Sequence, residues 1–218
     1  GVTNQGVPIV TLSNGDGHMY DEMMQSWMLI NDSWWAYGSQ YWDLTNTQME
    51  YGGTVQSDGN DENSVTNGHS LSSSHTSNGI LKYLESKTNN ELHRRGVVKL
   101  LQKFAKTMLM KEGFENLEEV VTLAHLENKL LVLLKLKDLN DFENIMVTYC
   151  TKLSELDYQA RLNEVFQWLY GVDGKDSLFD ETLSKHALLK KVLIACAGIR
   201  TVQRLTLSYA EALNFELS

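Results

Sequence analysis

The sequence predicts an all-α fold, a bundle of about six helices with an N-terminal acidic, aromatic arm of short helices packed on it. Three observations carry that expectation. From residue 80 onward apolar residues recur at helical spacing with no strand-like alternation. The periodic stretches are joined by short polar connections of the kind that set helices antiparallel. Capping patterns punctuate them, with Thr88-x-x-Glu91 and Asn140-x-x-Glu143 at helix starts and Gly171 at a stop.

Charge divides the chain at Leu81-Lys82. Before Lys82 there is no Lys or Arg but there are nine Asp and Glu, and beyond it the two signs balance, so the whole net charge of -9 lies in the first 81 residues. Four of the five tryptophans, Trp27, Trp34, Trp35 and Trp42, lie there as well. The expected organisation is an acidic aromatic docking arm over 1–51, a flexible polar linker over 52–79 and a helical bundle domain over 80–218.

Taken in order, Val7-Pro8-Ile9-Val10 reads as a short extended segment, followed by the loop Ser13-Asn14-Gly15-Asp16-Gly17. From His18 to Ile30 the spacing of Tyr20, Met23, Met24, Trp27 and Ile30 predicts a helix. Asn31, Asp32 and Ser33 offer caps for a second short helix through Trp34, Trp35, Tyr37, Tyr41 and Trp42. Helices this short need a surface to lie on. Residues 52–79 are Gly, Ser, Asn and Thr with almost nothing to bury, hence the linker.

In the body, a short helix fits Ile80 to Ser86, and Thr88-x-x-Glu91 has the pattern of a capping box opening a helix over 92–111. Its outer face carries Arg94, Lys99, Lys103 and Lys106. Leu117 to Lys137 is apolar on more than one side, which predicts a central helix. Asn140-x-x-Glu143 opens the next, Leu156 to Tyr170 follows with Gly171 as its stop, and Glu181 to Leu213 ends the chain as a helical region, continuous or broken near Gly198.

Composition excludes several functions. With pI near 5.1, non-specific binding to nucleic acid is disfavoured. No apolar run is long enough for a membrane span, and two cysteines, Cys150 and Cys196, set within helical patterns, make neither a disulfide framework nor a zinc site. Nucleophile-elbow, phosphate-loop and zinc-protease motifs are missing. Asp16, His18, Asp21 and Glu22 are the densest group of oxygen and nitrogen ligands, but a turn leading into a helix collects such residues as caps. No catalytic residue, metal or cofactor is therefore assigned.

What remains is an arm in which Trp, Met and Tyr interleave with acids, and a basic helix. Aromatic and Met side chains supply most interface energy. The partner-binding residues expected are Met23, Trp27, Trp34, Trp35 and Trp42, which would anchor the arm in an apolar groove, with Arg94, Arg95, Lys99 and Lys103 steering its acids. The function expected is a non-catalytic protein-protein interaction and assembly module of a regulatory, transcription-type complex. Its partners would be proteins, without direct nucleic-acid or membrane contact, inside the cell and in the nucleus. The competing readings are an enzyme or carbohydrate binder with Trp34, Trp35, Tyr37, Tyr41 and Trp42 as a stacking platform, nucleic-acid binding through the basic helix 92–111, and a fusion of a binding segment to its receptor.

Overall fold

Alternation, not helical periodicity, governs the segment from Gly17 to Asn31. The computed structural model describes residues 1–3, 6–42, 77–96, 115–171, 177–178 and 182–214. In it β1 (Ile9–Thr11), β2 (Gly17–Asp21) and β3 (Ser26–Asn31) form an antiparallel sheet in the order β1-β2-β3. Along β2, Gly17, Met19 and Asp21 are buried while His18 and Tyr20 between them are half-exposed, the pattern of a strand with one face on a core. Register sets Met19 opposite Met28 and Tyr20 opposite Trp27. The last two rings meet edge to face with centroids 5.5 Å apart, a cross-strand pair that favours this register.

The protein is thus mixed α and β, which corrects the all-α expectation, and the helix expected from His18 to Ile30 is a hairpin. Its turn is closed by Asp21, whose Oδ1 accepts the backbone N–H of Met23 at 3.0 Å and of Met24 at 3.3 Å. Gln25 takes the left-handed conformation at φ 49°. No glycine or proline announces this turn, so the methionines and aromatics around it mimic a helical stripe.

Helices follow. α1 (Trp35–Gly38) is a single turn, and α2 (Ser77–Arg94), α3 (Glu115–Leu136), α4 (Leu139–Glu155) and α5 (Gln159–Tyr170) come next. A two-residue hairpin of β4 (Ser177–Leu178) and β5 (Leu183–Ser184) leads to α6 (Lys185–Cys196) and α7 (Gln203–Ala212). The two helices expected between Ile80 and Arg94 are one. Thr88, read as a cap, lies buried inside α2, its Oγ1 2.7 Å from the Gly15 carbonyl and 3.1 Å from the Leu84 carbonyl. Most of the expected linker 52–79 and of the helix 92–111 lies outside the described residues.

Local chemistry accounts for the other ends. The Asp138 side chain caps α4 by accepting from the Asp141 N–H, in place of the box expected at Asn140. Ser184 caps α6 the same way through the Ala187 N–H. α5 stops at Gly171, whose φ of 85° is open to glycine without strain. The last helical region is broken between Cys196 and Gln203.

The main core joins α3, α4, α5 and α6 through side chains such as Leu126, Leu133, Leu153, Phe166, Leu188 and Leu193, all fully buried. Met19 and Ile30 of the sheet belong to that core. A second, smaller core gathers Trp35, Ala36 and Trp42 against Leu92 of α2 and Val121 of α3. Gly38 is required there, since a Cβ on it would fall 2.6 Å from the Val121 Cγ1. Among the described residues no helix is long and apolar enough to cross a membrane.

Candidate protein-interaction surface

Two sets of side chains in residues 1–42 do opposite things. One turns inward and clasps the helices. Trp35 stacks on the His125 ring of α3, centroids 4.9 Å apart and planes 26° apart, and Trp42 meets the same ring at 5.6 Å. Trp42 Nε1–H donates to Asn89 Oδ1 of α2 at 2.9 Å. Buried tryptophans need such a partner for the indole N–H.

Beneath the rings lies a buried polar relay. Ser39 Oγ is 2.8 Å from His125 Nδ1, and the Tyr41 N–H donates to the same Oγ at 3.2 Å. These contacts fit a ring that accepts from Ser39 at Nδ1 and carries its proton on Nε2, which faces Glu85 Oε1 at 3.5 Å. That is ion-pair distance and not a well-formed hydrogen bond. Lys129 Nζ lies 2.5 Å from the same carboxylate oxygen. Burial drives the His125 pKa below its ordinary value in spite of Glu85, so the ring is neutral. Burial also opposes the charge on Glu85, but His125 and Lys129 hold its carboxyl below the usual range.

Serine, histidine and glutamate in a row have the order of a hydrolytic relay. Here Ser39 is 1% exposed, His125 0% and Glu85 5%, so none of the three reaches a substrate. The relay is a structural joint. A second joint ties the strand end to α2, where Asn31 Nδ2 donates to Thr88 Oγ1 at 2.8 Å and to the Gly15 carbonyl at 3.2 Å. At the opposite end of the sheet Lys135 of α3 is paired with Asp21 Oδ2, and that hydrogen bond holds the Asp21 carboxyl below the usual range.

The other set faces water. Met23 is 92% exposed and Met24 72%, both at the hairpin tip, while Trp27 and Trp34 are half-exposed. Trp34 leans on Tyr37 with centroids 5.9 Å apart. Of the residues that the sequence marks for partner binding, Met23, Trp27 and Trp34 thus lie outward and Trp35 and Trp42 inward. With those two buried, the aromatic residues 34–42 do not form one stacking platform. Arg94 and Arg95 are exposed and both pair with Glu91, and Arg95 also donates to the Ser13 carbonyl at 2.7 Å, so it touches the β1–β2 turn. Lys99 and Lys103 lie outside the described residues.

Asp16 and Asp21, read as possible ligands, are engaged by backbone N–H groups and by the side chains of Asn14 and Lys135. Asp16 Oδ1 accepts the Ser33 N–H at 2.8 Å. Among the described residues no three His, Cys, Asp or Glu are placed to hold a metal. Ser39, Glu85, Asn89 and Lys135 were missed by sequence reading. Each acts through a partner at least 40 residues away, for which the sequence holds no local signal.

Comparison with known proteins adds the family. A family model described as Hira, TUP1-like enhancer of split, matches residues 1–169. Over 217 residues the chain is 50% identical to the HIR2 protein of Saccharomyces cerevisiae, covering 98% of this chain and 25% of that protein. It is 48% identical to the HIR2 protein of Kluyveromyces lactis, again over 98% of this chain and 25% of that one. The chain thus spans about a quarter of the length of these curated relatives. A crystal structure of HIRA(644-1017) superposes with a TM-score of 0.58 at 18% identity, over 95% of this chain and 50% of that one. It shares the mixed fold.

Proposed function

Because this chain belongs to the Hira, TUP1-like enhancer of split family, we propose that it is a non-catalytic interaction segment of a longer subunit in a transcription-regulating, histone-chaperone-type complex. The observation that carries this reading is the outward presentation of Met23, Met24, Trp27 and Trp34 on a region whose own fold is secured by Trp35, Trp42 and the relay below them. Large apolar side chains held in water on a rigid frame are what an interface needs, because little freedom is lost when they are covered.

In this reading residues 1–51 form the arm, 52–79 the tether and 80–218 the body. Arg94 and Arg95, with Lys99 and Lys103, guide the acidic arm to its seat, and Arg95 on the Ser13 carbonyl is the contact that supports it. Partners are proteins of a multi-subunit assembly. Contact with nucleic acid is indirect, as the net charge of -9 favours, and the compartment is the nucleus.

The experiment is a replacement. The matching quarter of the Saccharomyces cerevisiae HIR2 protein is exchanged for residues 1–218, and the hybrid is purified and sized. The expected result is elution in the same large assembly as the unaltered protein. A hybrid that elutes alone, although its replaced segment is folded by circular dichroism, overturns the reading.

A further inference from the structure

The hairpin tip shelters a groove of about 440 Å³ lined by Val7, Met19, Tyr20, Asp21, Glu22 and Met23 with Lys135 at its edge, within the ~300–1,000 Å³ of sites that hold small ligands. We propose that this groove receives a Lys or Arg side chain of a partner protein, whose neighbouring apolar residues lie on Met23 and Met24. The inference rests on the function proposed above and names the chemistry of the partner.

Three features of the groove argue for a basic occupant. Its walls, Val7, Met19 and Met23, are apolar, and they lead to the exposed Glu22 carboxylate, which suits a side chain with an aliphatic stem and a charged head. The charges at the rim do not balance. Lys135 is committed to Asp21, while Glu22 is exposed and makes no ion pair among the described residues. No Lys or Arg precedes residue 82, so the arm supplies no cation of its own. An acidic or phosphorylated occupant would meet Glu22, and among the described residues the one basic group lining the groove, Lys135, is already paired.

The tip is also built to keep its shape. Asp21 fixes the backbone of Met23 and Met24 through Oδ1 while Lys135 holds Oδ2, which ties the turn to α3. One carboxylate therefore maintains two methionines in water at 92% and 72% exposure. Among the described residues neither belongs to the two apolar cores.

Methionine oxidation reads this surface directly, because sulfoxide forms at a rate that follows exposure. Dilute peroxide is applied to the isolated chain and to the assembled hybrid described above, and sulfoxide is counted residue by residue. Met19, 2% exposed, is the internal reference, slow in both. In the assembly Met23 and Met24 should oxidise about tenfold more slowly than in the isolated chain. The Glu22→Lys hybrid should lose that protection, while the Glu22→Lys chain keeps the melting temperature of its parent. An assembly that forms but leaves both methionines at the free rate overturns this inference and spares the function. Failure to assemble overturns both. Protection in the isolated chain at the same concentration makes the occupant a second copy, and protection that survives Glu22→Lys removes the basic side chain. Either result overturns the proposal.

Discussion

The sheet-bearing region, residues 1–42, and the helical body are held together by different physics. In α3 to α6 the fold rests on aliphatic and aromatic side chains shut away from water, such as Leu126, Leu153, Phe166 and Leu193, and the polar residues mostly cap or decorate. The N-terminal region has few such residues, and its position is set by directed contacts: Asn31 on Thr88, Ser39 on His125, Trp42 on Asn89, Asp21 on Lys135. An apolar core is indifferent to small angular shifts, whereas hydrogen bonds and stacked rings are not. Directed contacts can therefore fix a region precisely in place while leaving its apolar side chains free for others.

The sharpest test removes volume from the body. Phe166→Ala should lower stability by about 3–5 kcal/mol, with both regions melting together in denaturant, because the sheet is seated on the same core. Next is the joint. Trp35→Ala should lower stability by about 3 kcal/mol and raise amide exchange in residues 17–42, with α4 to α6 still protected. Equal loss of protection in α4 to α6 would erase the distinction between the regions. Trp34→Ala, one residue away and half-exposed, should change stability by less than about 0.5 kcal/mol.

Acid should loosen the joint before the body. A free histidine titrates near 6.5, and burial lowers His125 below that. The unfolded chain then takes up a proton before the folded one does, so the stability His125 contributes is complete above about pH 6.5 and declines as pH falls towards its folded value. Glu85, held below its ordinary 4.5 against burial by His125 and Lys129, contributes stability that is present above about pH 4.5 and lost beneath it. Melting temperature followed from pH 7 to pH 4 should fall in both stages, and His125→Gln should abolish the first. The smallest effect belongs to the tip. The Met23→Ser and Met24→Ser pair should leave the melting curve within about 0.5 kcal/mol of the parent, which a thermal scan will show.

Much of the body was legible because its signals are local. The stripe through Leu123, Leu126, Leu130 and Leu133 repeats every three or four residues, and Gly171 stops α5 where the pattern ends. The hairpin was not, because alternation along β2 places a carboxylate, Asp21, on the buried face. That is tolerable only with Lys135, 114 residues further on. Thr88-x-x-Glu91 looked like a cap for the same reason: Thr88 is buried by the Gly15 turn, which a local reading cannot bring near it. The split among the tryptophans has no local signal either, since Trp34 and Trp35 are neighbours in sequence and the His125 ring distinguishes them.

The joint has a consequence for biosynthesis. Ser39 and His125 are separated by 86 residues, and ribosomes add about 5–20 residues per second, so the serine emerges roughly 4–17 s before the histidine that seats it. Over that interval Trp35 and Trp42 travel with no ring to stack against. Slowing elongation ahead of α3 should therefore prolong the interval in which these indoles are open to holding chaperones, which crosslinking to the nascent chain would measure.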